Sequence, residues 1–248
     1  MRWRVIPLEI HDAFTNMALD EAVAESVAAG SLPTVRFYRW RPSAVSIGYF
    51  QSMIEEVDVD ECRRRGVDLV RRRTGGGAVY HDFEGEITYS LIAPQDLYGS
   101  DIQASYRVIC AHVIQALALL GLKAEFRPIN DLVVNGRKIS GNAQTRRGGV
   151  LLQHGTVLHG LDVEVMSGVL KVDQEKLRER KAGSISGLLT SITDELGEIP
   201  MGRTYNALLR GFTDDKIWGF GSLGAKERQR ARILVAERYG TREWNFLR

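Results

Sequence analysis

The chain has 248 residues, 44% hydrophobic and 26% charged, with 33 Lys and Arg against 31 Asp and Glu and a formal net charge of +2. That suits a soluble globular fold of one large domain, or one domain with a small appendage, and nothing in the overall charge calls for nucleic acid. Two cysteines, Cys62 and Cys110, do not suggest a disulfide framework and fit a reducing, cytoplasmic compartment; the start Met1-Arg2-Trp3-Arg4-Val5-Ile6-Pro7 has no signal-peptide core, and the longest apolar run, 108–122, holds His112 and Gln115 and reads as too short and broken for a membrane span.

Residues 17–29 read as a helix, with Thr15 or Asn16 able to cap its start and Gly30 following its end. Residues 34–40 and 44–50 read as strands about the turn Arg41-Pro42-Ser43. A short helix over 58–65 ends at Gly66, and a strand over 67–73 runs into Thr74-Gly75-Gly76-Gly77. Residues 78–82 and 86–92 read as paired strands around Phe83-Glu84-Gly85. The pattern over 101–120 predicts a long helix, with Ile102, Val108, Ile109, Val113, Leu117 and Leu120 on one stripe and Gly121 at its end. A strand over 123–127 follows.

Next comes a hairpin. Asn135-Gly136 between β-branched runs predicts a type I′ turn, which needs positive φ at both central residues. The register then sets Val134 opposite Arg137, Val133 opposite Lys138, Leu132 opposite Ile139 and Asp131 opposite Ser140. Alternation collects Asp131, Val133, Lys138 and Ser140 on one face and turns Leu132, Val134 and Ile139 to a core. A lysine, a carboxylate and a hydroxyl on one face suit a negatively charged reactant; the plain alternative is a surface hairpin with its lysine in water.

Residues 144–149 read as a polar loop with Arg146 and Arg147, and 150–159 as a strand interrupted by Gly155. Helices are expected over 162–170, 174–181 and 204–212, and a basic amphipathic helix over 225–238 stops near Gly240; its Lys226, Arg228, Arg230 and Arg232 read as a solvated face. Strands fill about 1–160 and helices about 161–248. Hairpins in place of strand–helix–strand units argue for the α+β class, a mixed, largely antiparallel sheet with packed helices. There is no internal repeat or low-complexity linker.

Two other stretches carry chemistry. In Arg71-Arg72-Arg73-Thr74-Gly75-Gly76-Gly77-Ala78-Val79-Tyr80-His81-Asp82, three glycines let a backbone approach a ligand closely and offer N–H groups to an anion, with Arg72 on the face opposite Arg71 and Arg73. A tight turn in a basic strand is the plain reading, and neither phosphate-loop nor dinucleotide spacing is present. In Gln153-His154-Gly155-Thr156, a lone histidine in an apolar strand reads as a core or site-wall residue as readily as a base. Neither His81 nor His154 has neighbours at zinc-site spacing, and no Ser-His-Asp or Cys-His arrangement assembles from local motifs.

Taken together, residues 72–82, Asn130-Asp131, Arg137-Lys138-Ile139-Ser140-Gly141-Asn142-Ala143-Gln144 and His154-Gly155 resemble the lipoate–protein ligase A family, with Asn16-Met17-Ala18-Leu19-Asp20-Glu21 similar to its first helix and Ser46-Ile47-Gly48-Tyr49-Phe50-Gln51 to its second strand region. The ordered set covers about residues 1–195, with a match continuing to Trp244-Asn245. The resemblance implies the biotin/lipoate ligase fold, related to class II aminoacyl-tRNA synthetase cores, in one catalytic domain. It implies ATP-dependent adenylation of lipoate with Mg²⁺, then attack by a lysine of an acceptor lipoyl domain. Lys138 would contact the carboxylate and α-phosphate, and Arg72 would hold phosphate. Gly75, Gly76, Gly77 and Ala78 would supply N–H groups and space, while Val79 and Tyr80 line the nucleotide side. Asn130 and Asp131 would orient nucleotide and metal. Ser140, Gly141, Ala143 and Gln144 would wall the pocket, with His154, Gly155 and Thr156 beside the acyl tail or adenylate.

Family ligases often carry an added small carboxy-terminal domain, and the chain ends soon after Gly240. It therefore resembles the catalytic subunit of two-part ligases, with a separate small accessory partner. A membrane partner is not expected. Two rivals stand beside this: an octanoyl or lipoyl transferase of the same fold using a cysteine thiolate, although Ile129 and not cysteine precedes Asn130, and a non-catalytic subunit that binds acylated domains. Whether the acid is lipoate, octanoate or another short acyl acid is not legible.

Overall fold

A computed structural model describes residues 1–171 and 187–248. In chain order its elements are β1 (Arg2–His11), α1 (Ala13–Ala28), β2 (Thr34–Trp40), β3 (Ala44–Ile47), α2 (Met53–Glu56), α3 (Val59–Arg65), β4 (Asp68–Arg71), β5 (Val79–His81), β6 (Glu86–Pro94), a 3₁₀ turn (Gln95–Tyr98), α4 (Ile102–Leu119), β7 (Ala124–Arg127), β8 (Asp131–Val134), β9 (Arg137–Arg147), β10 (Val150–Leu158) and α5 (Val163–Val169). After the undescribed stretch come α6 (Ile192–Leu196), α7 (Met201–Thr213), β11 (Ile217–Phe220), α8 (Ala225–Leu234), a π turn (Val235–Tyr239) and α9 (Arg242–Asn245).

The strands form two sheets. The larger has the order β11-β1-β2-β6-β10-β9-β8-β7, and the smaller β4-β3-β5. In the larger, β1 runs parallel to β11 and β2, and every other neighbour is antiparallel. In the smaller, β3 is parallel to β4 and antiparallel to β5. The sheet is thus mixed and largely antiparallel, as expected.

Period-two alternation divides the core. Phe37, Tyr89, Leu91 and Leu151 face α4 and α7, where Ile109, Val113, Leu117 and Phe212 meet them. Their neighbours Tyr38, Ile92 and Leu152 face the other way, onto Met17, Val23 and Leu234 of α1 and α8. A third cluster, with Val45, Ile47, Cys62, Tyr80, Met166 and Val169, joins the small sheet to α3 and α5.

Several elements differ from the sequence reading. The first helix begins at Ala13, because Asp12 caps it by accepting from the Thr15 N–H at 2.7 Å. The strands read as a pair around Gly85 do not pair: β5 joins β3, while β6 joins β2 and β10. Gly85 is the corner between sheets, its carbonyl accepting from the N–H groups of His159 and Gly160. The polar loop at 144–149 is mostly strand. β9 runs to Arg147 and only Gly148-Gly149 turns; Gln144 keeps its polar face satisfied by bonding Gln153 and Ser105. Gly155 does not interrupt β10, which pairs through it on both sides; it is glycine because Asn142 Oδ1 lies 2.0 Å from where a Cβ would be.

On α4, Ile109, Val113 and Leu117 are buried as expected, but Ile102 and Val108 are exposed. By length and composition alone α4, Ile102–Leu119, is apolar enough to cross a membrane, and its inner face is core. β3 ends at Ile47, and the basic helix is α-helical only to Leu234. β1, in which charged and apolar residues mix, and β11, only four residues long, were not legible, nor was α2. The expected helix at 174–181 lies outside the described residues.

The α4–α7 contact yields two predictions. A Cβ on Gly211 would sit 2.3 Å from His112 O, so Gly211→Ala is expected to lose about 1–3 kcal/mol, read by urea unfolding. Burial pushes the His112 imidazole down to about 4 from an ordinary 6.5, with Lys216 adding to the effect. The folded chain therefore binds this proton later than the unfolded chain. Stability should be complete above about pH 6.5 and fall, by up to about 3 kcal/mol, as the pH drops toward 4. His112→Gln should flatten that part of the stability–pH curve.

Candidate active site

The glycine stretch folds over the end of β3. Its Gly76 carbonyl comes so near β3 that a Cβ on Gly48 would lie 2.0 Å from it, which only glycine permits. Arg72 holds the stretch in place with every donor it has. Its Nε donates to Thr74 Oγ1 at 3.1 Å, Nη1 to Ser46 O and Oγ at 3.0 and 3.1 Å, and Nη2 to Gly75 O and Gly77 O at 2.9 and 2.7 Å. The side chain is 4% exposed and, among the described residues, no carboxylate lies within ion-pair distance. Burial lowers its pKa to about 10, which leaves it charged near neutrality.

Two carboxylate–imidazole–hydroxyl lines converge on this guanidinium. In one, His154 Nδ1 lies 3.1 Å from Asp20 and Nε2 lies 2.8 Å from Thr74 Oγ1. In the other, His81 Nδ1 lies 2.9 Å from Glu86 and Nε2 lies 2.8 Å from Ser46 Oγ. With carboxylates as acceptors, each Nδ1 carries the proton and each Nε2 accepts from a hydroxyl, which in turn accepts from Arg72. Burial alone would raise the Asp20 carboxyl, but the Arg36 guanidinium at 2.6 Å and the His154 and Ser90 hydrogen bonds hold it below the usual carboxylate range. Burial lowers the His154 imidazole, against the pull of Asp20. Trp40 stacks on His81 with centroids 4.0 Å apart and fixes its ring.

The hairpin forms the opposite wall. Asn135 and Gly136 have φ of 50° and 76°, as the expected turn requires. The register departs from expectation beyond Lys138: Val134 pairs with Arg137 and Val133 with Lys138, but Leu132 pairs with Ser140 and Asp131 with Gly141. A β-bulge at residues 139–140 turns both Ile139 and Ser140 toward the core, and each is fully buried. Ser140 therefore does not share the face of Lys138. Gly141 takes that place, and a Cβ there would lie 2.7 Å from Lys138 Nζ. Lys138 pairs with Asp131 at 2.6 Å, and Asp131 also takes Arg127 at 3.1 Å.

Between the two walls lies a cavity of about 270 Å³. It crosses β9, β10, β6 and β2, three inter-strand steps or about 14 Å. Lys138, Asp131, Asn130 and Gly141 line one part. His154, Gly155, Thr156 and Ala143 line the middle, and Arg72, Gly76, Gly77, Ala78 and Val79 form the roof. Met17, Tyr38, Trp40, Thr88, Ser46, His81 and Asn142 complete it, and sequence reasoning missed all seven as lining residues. Met17, Ser46, His81 and Asn142 lie inside the stretches that carry the resemblance, whereas Tyr38, Trp40 and Thr88 lie in strands without such a signal.

Four expected site residues do not line the cavity. Tyr80 points into the third core cluster, Ser140 is turned by the bulge, and Gln144 faces α4. Gly75 contributes its carbonyl to Arg72. Asp131, expected at a metal, already pairs with two cations, and the described residues hold no group of three or more His, Cys, Asp or Glu placed for a metal ion. Cys62 and Cys110 are both buried in core clusters and line no part of the cavity; burial pushes their thiols up to about 11 and 12.

Residues 12–213 match the family model described as the lipoyl protein ligase A/B catalytic domain. The chain is 34% identical over 276 residues to the octanoyltransferase LipM of Brevibacillus brevis, covering 100% of this chain and 99% of that one. A structure of a bipartite lipoate protein ligase and its E2 lipoyl domain from Thermoplasma acidophilum superposes with a TM-score of 0.87 at 35% identity, over 99% of this chain and 96% of that one. A lipoate–protein ligase A bound with ATP superposes with a TM-score of 0.85 at 34% identity, over 99% of each chain. The fold is that of the lipoate ligases.

The Thr74 hydroxyl ties the glycine wall to β10 in the middle of the cavity, through Arg72 and His154. Thr74→Val keeps the shape but leaves Arg72 Nε and His154 Nε2 without a partner. It is expected to lower unfolding stability by about 1–3 kcal/mol in urea titrations.

Proposed function

The chain belongs to the lipoyl protein ligase A/B catalytic domain family, and on that footing we propose that it activates lipoate or octanoate with ATP and passes the acyl group to a lysine of an acceptor lipoyl domain. The observation that carries this over a thiol-based transferase is the position of Cys62 and Cys110, the only cysteines in the chain: buried outside the cavity, with raised thiol pKa. A thiolate route needs a lowered pKa and an open approach. The ATP-bound relative supports the nucleotide, and the Thermoplasma relative supports a lipoyl-domain acceptor. The LipM relative favours a second reading, transfer of octanoyl from a donor without ATP.

In the proposed first step, a carboxylate oxygen attacks the α-phosphorus of ATP, the bond to the β-phosphate oxygen breaks, and pyrophosphate leaves. Both reactants are anions, so cations must offset the charge that gathers at the phosphorus. Lys138, paired but reachable at 31% side-chain exposure, would sit at the carboxylate and α-phosphate. Arg72 would act through its field and through the loop it shapes, since its donors are occupied. N–H groups of Gly76 and Gly77, which make no backbone hydrogen bond among the described residues, would meet the phosphate. Val79 would border the nucleotide, and Asn130 and Asp131 would orient it. His154, Gly155, Thr156, Met17, Tyr38 and Trp40 would border the acyl chain. In the second step the acceptor lysine amine attacks the acyl carbonyl, the amide forms, and AMP leaves.

Mg²⁺ would arrive with ATP, because Asp131 is already matched by Lys138 and Arg127; no step is assigned to a metal held by the protein. A separate small partner, as in the bipartite relative, would serve the adenylation step, and the reducing cytoplasm is the proposed setting. Intact-mass analysis of a lipoyl domain supplied with lipoate or octanoate and ATP, beside an octanoyl-thioester donor without ATP, separates the readings. An acyl adduct only with ATP supports the ligase; one only from the thioester supports the transferase; no adduct from either, with or without a partner, supports a non-catalytic subunit. Lys138→Ala is expected to cut acyl transfer by about a hundredfold or more while changing stability by less than about 1 kcal/mol, since Asp131 keeps Arg127. A large fall in melting temperature would make Lys138 structural.

A further inference from the structure

The backbone of Lys138 is gripped by a stretch that has no part in the roles above. β10 stops pairing with β9 at Val157 and Ser140, short of Lys138. Residues 188–190 take its place. Lys138 N–H donates to Leu188 O at 2.8 Å, and Thr190 N–H donates to Lys138 O at 2.9 Å, with Lys138 and Leu189 forming a parallel bridge. One carboxylate then ties this strap to the hairpin turn. Glu195 accepts from Asn135 Nδ2 at 2.8 Å, from Arg137 Nη2 at 2.8 Å and from the Thr190 hydroxyl at 2.6 Å. Its side chain is 9% exposed. α6, which carries Glu195, is anchored in turn by the Ser191–Asp194 capping box and by Thr193 N–H donating to His159 O at 2.8 Å.

We propose that Glu195 is a positioning residue for Lys138, acting by clamping residues 188–190 onto the backbone of Lys138 beyond the end of β10. Without the strap, the N–H and C=O of Lys138 face an open sheet edge next to a two-residue turn. The Asp131 pair restrains only the ammonium end. The chain carrying the reacting cation would then swing with the turn, and ångström-scale misplacement of a reacting group lowers rate far more than affinity. Glu195 lines no part of the cavity and is distant in sequence from every motif that marks the site. The inference rests on the proposed role of Lys138.

The test uses the full chain, with its partner where activity needs one, and the acyl donor that the wild type accepts. Glu195→Ala is expected to lower kcat for acyl transfer by about tenfold or more, with KM for the donor changed by less than about twofold. Glu195→Gln, which still accepts from Arg137 and Thr190, should recover part of that loss. Thr190→Val, which deletes one hydroxyl, should move kcat in the same direction and guards against a Glu195→Ala chain that does not fold. Amide hydrogen exchange should quicken at Lys138 and Thr190 in each variant. Unchanged exchange at Lys138 would overturn the clamp, and unchanged kcat with quickened exchange would overturn its catalytic consequence. A loss carried wholly by KM would also overturn it. If the wild type transfers from neither donor, the functional reading fails, and exchange at Lys138 still decides the clamp.

Discussion

A buried guanidinium with no carboxylate beside it is the constraint around which the cavity is built. Arg72 is fully surrounded, and among the described residues its charge is met only by carbonyls and two hydroxyls. Those hydroxyls lead through His154 and His81 to Asp20 and Glu86, so the countercharges stand one imidazole away. A network of this kind is stable only when nearly all its members are satisfied, because an unpaired polar group in low dielectric is expensive. It ties α1, β2, β6 and β10 of the large sheet to β3 and β5 of the small one. Two buried atoms stand outside it, Arg36 Nε and Glu86 Oε2, each on a residue whose other polar atoms are used.

That arrangement explains why the glycines and the arginine occur together. The guanidinium pulls two carbonyls of the loop toward itself, and Gly48 lets the loop lie on β3. What the loop leaves facing the cavity is backbone wrapped on a buried guanidinium. The opposite wall supplies a second cation, Lys138, its ammonium partnered by Asp131 and its backbone paired with residues 188–190. An anionic ligand entering between them meets two cations whose positions have been set in advance, which is the condition for electrostatic stabilisation without reorganisation.

The hairpin shows how far local rules reach. Its turn obeys the Asn-Gly rule, and its first two pairs have the register that the turn dictates. One residue later a bulge moves Ser140 into the core and brings Gly141 beneath the lysine. The lysine's backbone is then completed from a part of the chain some fifty residues on, at 188–190. The site is thus specified by a turn, a bulge and a strap, and only the first of these is local.

Patterning by itself determined the α+β class, the mixed sheet, the helices over α1, α3, α4 and α7, and the motif residues that gather at the cavity. Those features depend on short-range periodicity and turn chemistry, which a linear chain displays. Tertiary structure alone decided that Arg72 spends its donors on the loop, that Tyr80, Ser140 and Gln144 face away from the cavity, and that Trp40, Ser46, His81 and Thr88 face into it. It also decided that the strands on either side of Gly85 belong to different sheets. Each of these turns on which remote segment lies across from a residue, and a side chain's neighbour across a sheet is set by strand order and by bulges, neither of which is written in the spacing of a single strand.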